Sequence, residues 1–360
     1  MPSRQDVIAQ SITHSILHSD DKPGSIVGHV PAFFHAYWLT FDCVQRELFK
    51  ALRGLWQLDE LNYRASLGVD ADGRTHDDAL ESMGDMGFSG STFFIAKENY
   101  IVKSIPRRFE HSFFKNELLL PYADYMRNNP RSLLVRITDF LQYSHYSMGS
   151  MIGLAPSHHI VMENIQRGKS LDQRQGKEAE WETFDLKPQS YFYPERDVAG
   201  GILASEATKS KLADDFDDKV RLTLDVVEEF KYQLQKDTAF LAKHNAVDYS
   251  LFLLRIPRPN DEQSASGPST TTSKPPYNPP EPQTWRTGIK SADGKYVYRA
   301  VILDFFWSKH KVHAQAMTGL IKAYNIFDRQ GPMSVTTTSP EYRARFSKMC
   351  TDMLEVQTDS

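Results

Sequence analysis

Cysteine is nearly absent: Cys43 and Cys350 are the only two among 360 residues. Two cannot build a disulfide framework, and no Cys/His group has zinc-ligand spacing, so a reducing, intracellular compartment is the expectation. Long apolar runs are missing too; nothing approaches the roughly 20 residues of a membrane-spanning helix, so any membrane contact is expected to be peripheral. The start, MPSRQDVIAQSITHSILHSD, lacks the basic head and unbroken apolar core of a signal peptide. Positive charge is not in excess either. Against 42 basic residues stand 46 acidic ones, a net charge of −4, which disfavours non-specific nucleic-acid binding and leaves room for a local basic patch. No internal repeat is found. What is present is an apolar content of 40% with 12% aromatics, enough to exclude a mostly disordered chain, over a length that suits one large domain or two lobes.

The most informative stretch is Gly84 to Ile105, GDMGFSGSTFFIAKENYIVKSI. Gly87-Phe88-Ser89-Gly90-Ser91 gathers small residues where backbone N–H groups could approach a phosphate. Alternation then predicts strands Thr92–Ala96 and Tyr100–Ile105, joined through Lys97-Glu98-Asn99, with Lys103 on the second. This is either a nucleotide cradle or an ordinary surface hairpin with a flexible tip.

Residues 1–30 are polar, and a mobile arm or one short helix is expected. From Pro31 to Leu67 a buried helical face is expected from Phe34, Trp38, Phe41, Val44, Leu48, Leu52 and Leu55. A helix is predicted over Glu110–Asn128, with Phe113, Phe114, Leu118, Leu119 and Tyr122 as its stripe; its acids Glu110 and Glu117 are either partners of Lys103 or simply solvated. Strands are predicted at Leu133–Phe140, Ile152–Pro156 and His159–Ile165. Val161-Met162-Glu163-Asn164 suits a hinge whose backbone meets an adenine ring, or an interior strand that ends there. A helix over Arg221–Lys243 leads to Asp248 and the strand Leu251–Ile256. Residues 257–287, rich in Pro, Ser and Thr, read as a linker without a packed core. A hairpin turning at Asp293-Gly294 returns through Val297–Leu303 to Asp304, and Pro340–Phe346 reads as a capped helix.

Phosphoryl transfer from ATP needs a phosphate cradle, a lysine on the triphosphate, a carboxylate for Mg²⁺ and a carboxylate near the acceptor hydroxyl. Gly87–Ser91, Lys103, Asp304 and Asp248 supply these in order. A protein kinase would show His-Arg-Asp and Asp-Phe-Gly; here Ala246-Val247 precedes Asp248, and Phe305-Phe306 follows Asp304.

The chain instead resembles the phosphatidylinositol phosphate kinases. The family's Gly-X-Ser-Gly-Ser is similar to Gly87–Ser91, its Ile-Lys-Thr to Val102-Lys103-Ser104, and its Asn-Pro-X-Thr-Leu-Leu to Asn129-Pro130-Arg131-Ser132-Leu133-Leu134. Its Val-Met-Asn-Asn resembles Val161–Asn164. Its Phe-Leu-Ala and Met-Asp-Tyr-Ser-Leu-Leu resemble Phe240-Leu241-Ala242 and Val247-Asp248-Tyr249-Ser250-Leu251-Phe252. Ile-Ile-Asp corresponds to Ile302-Leu303-Asp304, and Tyr-X-X-Arg-Phe to Tyr342–Phe346.

The resemblance implies an α/β fold of two lobes, related to the protein kinases and of the SAICAR synthetase type, with antiparallel sheets and ATP between the lobes. It implies an arm over 1–30, an N-terminal lobe over 31–165 and a C-terminal lobe over 166–360 holding a disordered insertion at 257–287 and an activation loop at about 305–335. Gly87, Ser89, Gly90, Ser91, Lys103 and Val161–Asn164 would bind ATP, Asp304 would hold Mg²⁺, and Asp248 would orient or deprotonate the inositol hydroxyl. Lys187 matches the lysine of Asp-Leu-Lys-Gly-Ser, a motif of the family's active site, and would be catalytic with Asp248 and Asp304; Pro188-Gln189 stands in place of the motif's glycine. Lys309, Lys311 and His313 would meet the lipid headgroup and leaflet. The implied activity is a 1-phosphatidylinositol-4-phosphate 5-kinase; a 5-phosphate 4-kinase or a catalytically weak scaffold of the same fold are the alternatives. In the family, glutamate before the activation-loop histidine goes with 4-phosphate lipids and alanine with 5-phosphate lipids; Val312 stands here. The expected partner is a phosphoinositide in a membrane surface, with no nucleic acid and a homodimer admissible, at the cytoplasmic face of membranes such as the plasma membrane.

Overall fold

The alternating residues around Lys103 form a hairpin inside a six-stranded sheet, and the turn explains its tight closure. Lys97 and Glu98 both take positive φ, 42° and 66°, the mirror-image turn whose twist matches paired strands, and Asn99 N donates to Ala96 O at 3.0 Å. The computed structural model describes residues 4–17, 40–76, 78–83, 91–144, 156–169, 181–188, 216–258, 278–308 and 337–357. They divide between two units, Met1–Asn128 with Val135–Arg167, and Asn129–Leu134 with Gly168–Ser360.

In the first unit, α1 (Arg4–Leu17) is followed by β1 (Phe41–Cys43), α2 (Arg46–Leu55), α3 (Glu60–Ser66), β2 (Leu80–Ser82), β3 (Phe93–Ala96) and β4 (Tyr100–Ser104). A helical stretch then runs through α4 (Arg108–Phe113), a π turn (Phe114–Leu118) and α5 (Leu119–Asn128), before β5 (Ile137–Tyr143) and β6 (His158–Glu163). The strands are antiparallel, in the order β1-β5-β6-β4-β3-β2.

Of the two expectations for residues 1–30, residues 4–17 take the helix. Ile8, Ile12 and Ile16 recur every four residues and are buried against Phe41, Phe94, Val102 and Tyr63. Ser11 and Ser15 inside this buried helix return their hydroxyls to the carbonyls four residues back, each at 2.8 Å. Gly68 lets α1 come this close: a Cβ there would lie 2.8 Å from Thr13 Cγ2.

The single helical face expected across 31–67 also differs. Phe41 is on a strand, and α2 buries Phe49, Leu52 and Arg53 while Leu55 is 46% exposed. The stripe turns by one residue because Arg53 finds partners there: the partly exposed Glu60 at 2.8 Å, and the buried Thr138 O at 2.8 Å and Asp139 at 3.3 Å. In the long helix the apolar doublets Phe113-Phe114 and Leu118-Leu119 are five apart, out of phase with 3.6 residues per turn. The π turn's i→i+5 geometry returns them to one side, and all four are buried.

The second unit contains β7 (Glu182–Leu186), β8 (Val220–Leu222), α6 (Leu224–Lys243), β9 (Ala246–Val247), β10 (Ser250–Pro257), β11 (Ile289–Lys290), β12 (Tyr296–Leu303), β13 (Trp307–Ser308), α7 (Ser339–Asp352) and β14 (Leu354–Val356). Its main sheet has the order β11-β12-β10-β7, and β9 pairs with β13 and β8 with β14. The helix α6 buries Val227, Phe230, Leu234 and Leu241, as its sequence period demands, although Leu224 is 56% exposed. Thr338 caps α7 by accepting from Glu341 N.

The expected linker ends earlier than composition suggests. Within 278–287, Pro279 is buried and Trp285 packs on Phe230 with ring centroids 4.6 Å apart; the aromatic surface gained outweighs the proline-rich context. No helix among the described residues is long and apolar enough to cross a membrane.

Candidate active site

Strand register gathers three of the expected residues at one end of the second unit's sheet. Ser250 pairs with Leu303 and Leu251 with Leu186. Lys187 directly follows β7, Asp304 directly follows β12, and Asp248 stands two residues before β10, so all three emerge from adjacent strand ends. Beyond them the chains pair again, Val247 with Trp307. Two residues, Asp248 and Tyr249, therefore face three, Asp304 to Phe306.

Both aspartates are left-handed, with φ of 66° at Asp248 and 62° at Asp304. Each such conformation costs on the order of 1–3 kcal/mol for a residue other than glycine, and persists only where the surroundings fix it. Here the neighbours do so. Tyr249, Phe305, Phe306 and Trp307 are buried, Tyr249 packs on Tyr342 and Phe346, and Tyr342 Oη donates to Tyr249 O at 2.5 Å.

The Lys187 ammonium lies 3.1 Å from Asp248 Oδ2. Beside Lys187 a cavity of about 380 Å³ is lined by cations and acids together, Lys219, Arg345 and Lys348 with Asp217, Asp218 and Asp352. Arg345 belongs to the Tyr-X-X-Arg-Phe motif, the one sequence signal that points to it. Lys219 and Lys348 carry no sequence signal of their own.

The remaining expected residues lie in the first unit. Lys103 sits on β4 opposite Phe93, its ammonium 5.4 Å from that ring's centroid. Ser91 is buried, and the adjoining backbone is tied down by Thr92 N donating to Ser104 Oγ at 2.8 Å. Gly87, Ser89 and Gly90, and likewise Lys309, Lys311 and His313, lie outside the described residues. Glu110 pairs with Arg107 at 3.4 Å, and Glu117 lies in the π turn.

Val161 and Met162 are interior to β6, paired to both β4 and β5. Glu163 accepts from Arg136 N at 2.8 Å and returns its own N–H to Arg136 O at 3.0 Å. The Asn164 side chain donates to Glu98 O at 2.9 Å and accepts from Gln166 N at 2.9 Å. These two side chains thus hold the strand end and hairpin tip, and the Asn164 backbone is engaged too, its N–H donating to Asn99 O at 3.0 Å and its carbonyl accepting from Arg167 N at 3.2 Å.

A lysine-bearing hairpin in one antiparallel unit, and two carboxylates with a lysine at the strand ends of another, make up a kinase-type α/β fold. The family model described as Phosphatidylinositol-4-phosphate 5-Kinase matches residues 74–353, well over half of the chain, and the protein belongs to that family. Its general activity class is accordingly phosphoinositide kinase. No curated protein matches the chain.

Proposed function

We propose that the protein transfers the γ-phosphate of ATP to the inositol ring of a membrane phosphoinositide, and that it is a 1-phosphatidylinositol-4-phosphate 5-kinase. The observation that carries this reading is the Lys187–Asp248 contact at 3.1 Å. Asp248 would accept the proton of the attacking hydroxyl, while Lys187 fixes the carboxylate's orientation and brings positive charge to where phosphoryl oxygens gather. Lys103 and the backbone of Gly87, Ser89, Gly90 and Ser91 would hold the phosphates, and Val161–Asn164 the adenine.

A divalent ion fits these residues. Among the described residues no group of three or more His, Cys, Asp or Glu could cage a metal alone, and Mg²⁺ in phosphoryl transfer is held by one or two carboxylates together with substrate phosphates. Asp304 would be that carboxylate, and the ion would supply charge neutralisation on the phosphoryl oxygens. The cavity beside Lys187 has a lining of mixed charge, with Lys219, Arg345 and Lys348 beside Asp217, Asp218 and Asp352; Asp218 is paired with Arg221 and Arg255, Arg345 with Glu341 and Lys348 with Asp352. Lys309, Lys311 and His313 would meet the headgroup of a lipid in a cytoplasmic leaflet, as in a plasma membrane.

The test is labelled ATP with vesicles carrying one phosphatidylinositol monophosphate at a time, with the phosphorylated ring position identified. A bisphosphate from the 4-phosphate lipid, abolished by Asp304→Ala or Lys103→Ala, is the expected result. Product from the 5-phosphate lipid alone would make the protein a 4-kinase. No product from any lipid, with folded protein that binds Mg-ATP, would leave a scaffold of this fold, the reading favoured by Pro188-Gln189 in place of glycine.

A further inference from the structure

We infer that Asp237 and Arg286 are positioning residues for Asp304, acting through the short segment Ser132–Leu134. The strand β12 ends at Leu303, and its outward edge is closed by three separate pieces of chain: Tyr298 pairs with Ile289, Ala300 N donates to Trp285 O at 2.8 Å, and Ile302 N donates to Leu133 O at 2.7 Å. The last bond lies two residues before Asp304. It comes from a segment that forms no strand, only an isolated bridge between Leu134 and Ile302, so side chains must hold that segment in place.

Asp237 is wholly buried in the middle of α6. Its carboxylate accepts from Ser132 Oγ at 2.8 Å, Leu133 N at 2.6 Å and Gln233 Nε2 at 2.9 Å. Ser132 Oγ accepts in turn from Leu134 N at 3.1 Å. From the other side, the Arg286 guanidinium donates to Ser132 O and Leu134 O. A buried carboxylate is costly unless donors satisfy it, and here its donors come chiefly from the segment that closes the edge of β12. Asp304 keeps a φ of 62°, a conformation that needs a fixed surround. Neutralising Asp237 would loosen Ser132–Leu134, open the edge at Ile302 and release the carboxylate two residues on.

The inference rests on the reading that Asp304 acts in phosphoryl transfer, and the experiment separates the two. Asp237→Asn and Arg286→Lys are compared with Val227→Ala, a core truncation on the same helix. Native-state hydrogen exchange should show the Ile302 amide exchanging at least tenfold faster in the first two variants than in Val227→Ala, with Leu253 and Leu254 protected alike in all. In the lipid-kinase assay the same two variants should lose at least tenfold in kcat with an unchanged lipid KM and a raised Mg²⁺ requirement. Equal Ile302 exchange in all three variants, or a kcat no lower than that of Val227→Ala, would overturn the proposal. Were the wild-type chain inactive on every lipid, the functional reading would fail while the exchange data still decided whether Asp237 and Arg286 hold this strand end. If Asp237→Asn does not fold, Arg286→Lys carries both measurements.

Discussion

Lys187 Nζ and Asp248 Oδ2 are 3.1 Å apart, with side chains only 10% and 11% exposed. Two opposite charges so far from water depend on each other, and removing one partner leaves the other buried and uncompensated. Lys187→Met should lower folding stability by about 3 kcal/mol and reduce kcat at least a hundredfold. Asp248→Asn keeps an acceptor near the ammonium, so its stability loss should be smaller while kcat falls by roughly 10²–10⁴. In the double variant the losses should not add. Denaturant melts and steady-state kinetics measure both; additive losses would mean that the contact is incidental.

The left-handed backbone at Asp304 separates its structural cost from its chemical use. Glycine adopts this conformation without penalty, whereas a β-branched residue is strained there. Asp304→Gly should be as stable as the wild type or up to about 1 kcal/mol more stable, Asp304→Val should be less stable by about 2 kcal/mol, and both should be inactive. Thermal melts beside activity assays provide the check. A glycine variant less stable than the valine variant would mean that the strain is absent.

Acid should weaken the first unit. His111 and His158 stack with centroids 3.6 Å apart. Burial first, then neighbouring cations, pushes His111 down to about 4 and His158 to about 3, and burial alone pushes His159 to about 3. The unfolded chain takes up these protons near pH 6.5 and the folded chain does not, so stability falls as pH drops from about 6.5 toward 4 and is fully present above that window. The buried Asp139 carboxyl, raised by desolvation, works in the opposite direction above its unfolded value. The three histidines set the direction, a net loss of stability between pH 6.5 and 5. It should be smaller in His158→Asn, as read by urea melts at each pH.

Lipid choice should respond to Val312. By the family's pattern, Val312→Glu should raise kcat/KM for the 4-phosphate lipid over the 5-phosphate lipid about tenfold, a difference of about 1.4 kcal/mol, and Val312→Ala should move the ratio the other way. Unchanged ratios in a matched vesicle assay would place the selection elsewhere.

Local patterning carried much of the fold. The hairpin around Lys103, the stripe from Phe113 to Tyr122, the helix before Asp248 and the return strand to Asp304 are all written in apolar spacing and turn residues. The segments least legible locally are those whose burial depends on distant partners. Residues 4–17 are polar on average yet supply three isoleucines to a core built by later strands, and Arg53 is buried because Glu60 and Asp139 await it. Trp285 escapes its proline-rich context by packing on Phe230.

The candidate site divides along the same line. Sequence alone determined which residue types are available and in what order: a lysine on a hairpin, a lysine after one strand, and acids beside two others. Only tertiary structure decided that Lys187 faces Asp248 rather than another acid, that Glu163 and Asn164 spend their side chains on the backbone, and that Ser132–Leu134 closes the strand leading to Asp304. Residue order fixes local periodicity, whereas register between strands far apart in the chain is set by the packing of whole faces, which no local window contains.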